Sequence, residues 1–234
     1  MVISELLQRS PVRVFWDSIQ GGLKAGELGL IASPSGIGKT SVLVQIALDK
    51  LLRGKKVIHI SFSQHTDYVL AWYENIFQEF TRKKNLEDEQ DIKEDIIKNR
   101  VLMKFNQKGL TVDQILKSLS ALIKDGGFNA EFVIIDGFDF SVACKNDIAE
   151  VKSFAEEMGV SVWYSCTVKG DGALYDKRNI PLVIKDYADL FSVIIVMEPK
   201  PDHIALAVSR NRDVYNPEHQ SLKLDPKTLL ILEG

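Results

Sequence analysis

Apolar positions change their period several times along the chain. Leu28-Gly-Leu-Ile-Ala32 is a short apolar run that predicts a buried strand. After the polar Ser33–Ser41 stretch, Val42, Leu43, Ile46, Ala47 and Leu51 recur at helical spacing. Lys55–Phe62 reads as a second buried strand, so the chain opens β-loop-α-β. Val69, Trp72, Tyr73, Ile76, Phe77 and Phe80 keep a 3.6-residue rhythm and predict an amphipathic helix over Tyr68–Phe80. Thr81–Arg100 carries six basic and six acidic residues, which predicts a solvated helical face or a mobile insertion.

Strands and helices go on alternating. Val101–Phe105, Phe132–Asp136 and Val160–Ser165 read as strands; Thr111 to about Ile123 and Asp147–Met158 read as helices. Val168–Pro181 reads as a loop, and strands follow at Leu190–Met197, Ile204–Ser209, Gln220–Leu224 and Leu229–Leu232. Repeated βα units imply an α/β fold with a mostly parallel central sheet flanked by helices, the late strands adding antiparallel at the C-terminal edge. Without an internal repeat or a break in composition, a single domain over 1–234 is expected, with a charged helical segment near 81–100.

Composition narrows the class. A hydrophobic content of 45% excludes disorder, and 29 basic against 32 acidic residues lacks the basic excess of a free-standing nucleic-acid binder. No apolar run reaches ~18 residues and Met1–Arg9 does not read as a signal peptide, so a cytoplasmic protein with no membrane insertion is expected. Cys144 and Cys166 are too few for a disulfide framework and read as inert, partly buried thiols. The four histidines show no metal-ligand spacing.

The chemistry concentrates in Ser33-Pro-Ser-Gly-Ile-Gly-Lys-Thr40, which fits the phosphate-loop spacing G-x-x-x-x-G-K-[ST] with Ser33 at the first glycine position. A loop between strand and helix turns successive backbone N–H groups towards phosphate, so Ser35, Gly36, Ile37, Gly38, Lys39, Thr40 and Ser41 are the nucleotide-binding candidates. Lys39 would neutralise the outer phosphates of ATP or ADP, and the Thr40 hydroxyl would ligate Mg²⁺. Asp136, at the end of an apolar strand, is the second metal candidate. Asp139 follows three residues on, where metal, water or turn-capping roles are all open.

These motifs, in this order, resemble the RecA-like P-loop ATPases, in particular the KaiC-like and hexameric replicative-helicase branch. Phe15-Trp-Asp-Ser-Ile-Gln-Gly-Gly-Leu-Lys-Ala-Gly-Glu27 is similar to that family's lead-in, and Ile60-Ser-Phe62, Ile134-Ile-Asp136 and Val160–Cys166 to its successive strands. Tyr187-Ala-Asp-Leu190 and Arg210-Asn-Arg-Asp213 resemble its late motifs. The resemblance implies a RecA-like fold, a homo-oligomer such as a ring, and Arg210 and Arg212 as a finger reaching the neighbouring subunit's nucleotide; solvated arginines at a strand end are the alternative.

The resemblance breaks at the catalytic glutamate. Where the family places it, this chain has Ser63 and Gln64, neither a proton acceptor near pH 7. His65, Asp67 and Asp139 are the candidate substitutes, and Thr167 stands where a longer phosphate sensor is usual. The loops that grip DNA in relatives carry nearly balanced charge here, Gly137–Asp147 and Val168–Ile180, so a nucleic-acid partner rests on the resemblance alone. Two readings stay open: an ATPase with weak or partner-dependent hydrolysis serving nucleic acid or another protein, and a nucleotide-binding scaffold or regulator without turnover.

Overall fold

The computed structural model describes residues 7, 10, 12–62, 65–82, 89–170, 172–217 and 222–232. The strands are β1 (Leu28–Ser33), β2 (Val57–Ser61), β3 (Arg100–Lys104), β4 (Phe132–Asp136), β5 (Ser161–Thr167), β6 (Val193–Pro199), β7 (Ile204–Asn211), β8 (Val214–Tyr215), β9 (Leu222–Leu224) and β10 (Ile231–Leu232). They form one sheet in the order β3-β2-β4-β5-β1-β6-β7-β9-β10, with β8 beside β7. From β3 to β6 every pairing is parallel; those of β6–β7, β7–β8, β7–β9 and β9–β10 are antiparallel. The expected α/β class, parallel centre and antiparallel edge are all present.

Burial explains the apolar runs. Every residue of β1, β2 and β4 is buried, as a parallel strand covered on both faces requires. Alternate residues feed two cores: Ile31, Ile134 and Trp163 pack on one face, and Leu30, Ile135 and Tyr164 on the other. The first face is covered by α1 (Val12–Ser18), α2 (Lys39–Leu52), α3 (Thr66–Thr81) and α4 (Glu89–Lys98). The second is covered by α5 (Val112–Ser120), α6 (Lys145–Met158) and a 3₁₀ segment at Leu182–Leu190.

Several boundaries differ from the sequence reading for physical reasons. Helix α1 was not expected; its seven residues are too few to hold alone, and tertiary contacts hold it. Trp16 Nε1 donates to buried Asp49 Oδ2 at 2.8 Å, Arg53 pairs with the same carboxylate, and the Lys50 ammonium lies 4.5 Å from the Trp16 ring. Within the charged segment, α4 is not wholly solvated: Ile92 and Ile96, one turn apart, are buried. Helix α5 starts at a capping box between Thr111 and Gln114, as the hydroxyl start implied, then continues as a π-helical turn over Ala121–Asp125. Cys166 is buried, whereas Cys144 is exposed at the start of α6.

The C-terminal hairpin β9–β10 is fastened to α2. Ser41 Oγ and Gln45 Nε2 both donate to Leu229 O, at 2.8 and 2.9 Å, and Ile231 N donates to Gln45 Oε1 at 2.9 Å. The last residues of the sheet are thereby packed against the loop that begins at its centre.

Candidate functional site

The loop from β1 to α2 fixes the site. Ser33 ends β1 fully buried, and its hydroxyl donates to Pro34 O at 2.8 Å. Gly36 at φ 80° and Gly38 at φ 101° take left-handed backbone that a side chain would strain. A Cβ on Gly38 would also stand 3.2 Å from Leu224 of the hairpin. Gly38 caps α2 without any side-chain hydrogen bond, so the first amides of the helix keep their dipole end for an anion.

Lys39 is 8% exposed and reaches back along this loop. Its ammonium donates to Ser33 O and Ser33 Oγ at 3.1 Å and to Pro34 O at 2.8 Å. Burial pushes its pKa below the ordinary lysine value, while Cys166 and Asp136 act in the other direction. The same burial lifts the Cys166 thiol to about 12, which leaves it unreactive at neutral pH.

Opposite the lysine, the two metal candidates meet. Thr40 Oγ1 donates to Asp136 Oδ2 at 2.8 Å, joining the first turn of α2 to the end of β4. The other carboxylate oxygen accepts from Ser165 Oγ at 2.5 Å, and Ser165 Oγ in turn accepts from Gly137 N at 2.7 Å. Asp136 is thus held from both sides and only 2% exposed. Among the described residues no group of three or more His, Cys, Asp or Glu forms a cation cage. A hydroxyl and one carboxylate are hard oxygen donors, suited to Mg²⁺ that takes its remaining ligands from water and nucleotide phosphates.

These residues share a cleft of about 490 Å³, lined by Ser35, Gly36, Gly38, Lys39, Thr40, Ser41, Asp136 and Ser165. Sequence reasoning missed six further lining residues: Trp72, Gly137, Phe138, Ser165, Lys169 and Leu229. Ser165 was legible only through register: β4 pairs with β5 up to Ile135 opposite Tyr164, so the next residues, Asp136 and Ser165, fall side by side. Asp139 and Thr167 also line the cleft, while Ile37 does not.

Other expected residues lie elsewhere. Ser63 and Gln64, at the position of the missing glutamate, lie outside the described residues. His65 and Asp67 form an exposed pair, Nδ1 to Oδ2 at 3.0 Å, at the start of α3 and do not line the cleft. Arg210 and Arg212 do not line it either. All five N–H donors of Arg212 find acceptors within the chain: Glu27 Oε1 and Oε2, Ile19 O, Gly22 O and Asn211 Oδ1. Arg210 donates to Ala188 O at 2.6 Å and Arg212 O at 2.7 Å.

No helix among the described residues is long and apolar enough to cross a membrane. No curated protein matches the chain. A family model described as an AAA domain matches residues 7–165, which span α1, the phosphate loop, Asp136 and β5 as far as Ser165. With more than half of its length so matched, and with a phosphate loop facing a strand-end aspartate, the chain belongs to the AAA domain family of P-loop nucleotide-binding proteins.

Proposed function

We propose that this protein binds ATP and ADP with Mg²⁺ at the Ser35–Ser41 loop and hydrolyses ATP slowly, or only with a partner, as a RecA-like ATPase. The observation that carries the reading is the convergence of Lys39, Thr40 and Asp136 in one cleft, with Ser165 fixing the carboxylate. Backbone amides of the loop and the uncapped start of α2 receive the phosphates; Lys39 exchanges its bonds to Ser33 and Pro34 for phosphate oxygens. Thr40 and Asp136 hold the metal, whose chemistry is to draw charge off the transferring phosphoryl group. Trp72 and Leu229 give the cleft an apolar margin suited to the base or sugar.

The second reading, a scaffold without turnover, is favoured by one observation: Ser63 and Gln64 offer no carboxylate. Self-association strengthened by nucleotide belongs to the first reading. Arg212 commits all five donors inside its own chain, whereas Arg210 donates there from Nε and Nη1, to Arg212 O and Ala188 O, so Arg210 is the residue we assign to a neighbour's nucleotide. Calorimetry with Mg·ATP tests the common core. Binding in the wild type and a loss of 100-fold or more in Lys39→Ala support it; equal affinity in both refutes it.

A further inference from the structure

Hydrolysis requires a group that orients the attacking water and takes its proton. Among the described residues, the acidic side chains lining the cleft are Asp136 and Asp139. Both oxygens of Asp136 are taken, by Thr40 and Ser165. Asp139 is placed differently. Its main chain exchanges two hydrogen bonds with the Gln107 side chain, at 2.7 Å from its N–H and 3.1 Å to its carbonyl, which pins the β4 exit loop against the β3 exit loop. Ser141 N and Ser141 Oγ donate to Asp139 Oδ1 at 3.0 and 2.7 Å, and Oδ2 receives no hydrogen bond from the described residues. Those Ser141 bonds, aided by Lys169, hold its pKa below the ordinary aspartate value, so it is a carboxylate at neutral pH. One oxygen is therefore committed to positioning the group, and the other is open on an exposed side chain that lines the cleft.

We propose that Asp139 is the catalytic carboxylate of this chain, standing in for the glutamate replaced by Ser63 and Gln64; this rests on the nucleotide-binding reading. As the water oxygen bonds to the γ-phosphorus, the bond from that phosphorus to the β–γ bridging oxygen breaks and ADP leaves with the electron pair. The proton of the water passes to Asp139 and from it to solvent, so ATP and water become ADP, phosphate and a proton. A carboxylate held below its ordinary pKa is a weak base, consistent with the slow hydrolysis proposed for this site.

Asp139→Asn tests this directly, because the amide oxygen keeps the two Ser141 bonds while the charge is lost. The phosphate-release rate at saturating Mg·ATP is expected to fall by ~10²–10³-fold, with ATP affinity within twofold of wild type. Asp139→Glu, which restores a carboxylate, should recover rate over the Asn variant. A readout independent of turnover is ADP with aluminium fluoride, a mimic of the transferring phosphoryl group: Asp139→Asn should weaken its binding and leave ADP binding unchanged. An Asn variant within threefold of the wild-type rate overturns the proposal, as does a wild type that binds ATP but releases no phosphate. If ATP does not bind at all, the nucleotide reading itself fails, and calorimetry separates the two failures.

Discussion

Ser165→Ala is the most exacting test of how the site is built. It removes the hydroxyl that donates to Asp136 Oδ1 at 2.5 Å and accepts from Gly137 N at 2.7 Å. Two polar groups lose their partner at once, and both Asp136 and Ser165 are buried. An unsatisfied buried group costs ~1–3 kcal/mol, more when charged. Gly137 is only partly buried and water can reach it, so its share lies at the low end. The sum is about 3 kcal/mol, which for a chain of this size lowers Tm by roughly 6–12 °C. Function should change separately from stability. With Thr40 as its one remaining tether, the carboxylate gains freedom, and losing such a supporting bond lowers metal affinity by ~10–100-fold. The assays are a thermal melt and a Mg²⁺ titration of ATP binding, with Ser165→Thr as the variant that keeps the hydroxyl. A Tm within 2 °C of wild type and an unchanged Mg²⁺ midpoint would refute the reasoning.

Arg212→Ala strips five hydrogen bonds and leaves the largely buried Glu27 carboxylate without its cation, with the Lys24 N–H still donating to Oε2, so a loss of ~3–5 kcal/mol is expected by denaturant unfolding. Arg212→Lys should fail to rescue, since an ammonium cannot span those acceptors. Trp72 is the tryptophan at the cleft, whereas Trp16 and Trp163 are buried in the core, so ATP should change the intrinsic fluorescence and Trp72→Phe should abolish the change. His59 is fully buried, with Nδ1 3.1 Å from the Tyr73 hydroxyl and no hydrogen-bond partner for Nε2 among the described residues. Burial lowers its pKa to about 4, with Asp136 raising it and Arg100 lowering it. The unfolded chain binds that proton near pH 6.5 and the folded chain does not. Stability should therefore fall by up to ~3 kcal/mol as pH drops from 6.5 towards 4. Acid titration of unfolding would measure it, and His59→Leu with Tyr73→Phe should flatten the slope.

The parts legible in the sequence share a property: their signal is local. An apolar run such as Phe132–Ile135 declares a buried strand by itself, and the glycine and lysine spacing of the phosphate loop encodes a backbone conformation within eight residues. What was missed is held by contacts distant in sequence. Helix α1 depends on Asp49, and Leu229 reaches the cleft because Ser41 and Gln45 grip its carbonyl across more than 180 positions. Ser165 looked like any serine ending a strand until strand order placed it beside Asp136. The arginine pair shows how tertiary contacts separate residues of one motif. Arg210 and Arg212 share one motif, yet a left-handed turn at Arg212, φ 54°, accompanies its five bonds within the chain.

The site divides into two halves with different tolerances. Lys39, Thr40, Asp136 and Ser165 stand on the ends of β1, α2, β4 and β5, elements buried on both sides, so their geometry is imposed by the core and survives change elsewhere. Asp139, the group that would set the chemical step, lies on the loop after β4, its side chain exposed between Phe138 and Phe140, which are buried in the second core. On the proposed reading, phosphate binding rests on the strand ends and the proton acceptor on an exposed loop side chain, so the first can persist while the second changes. Register sets this: Ser61 at the end of β2 pairs with Asp136 at the end of β4, so the end of β2 lies one strand from the aspartate that lines the cleft. A carboxylate supplied by the β4 exit loop, as proposed for Asp139, would therefore require no strand to move.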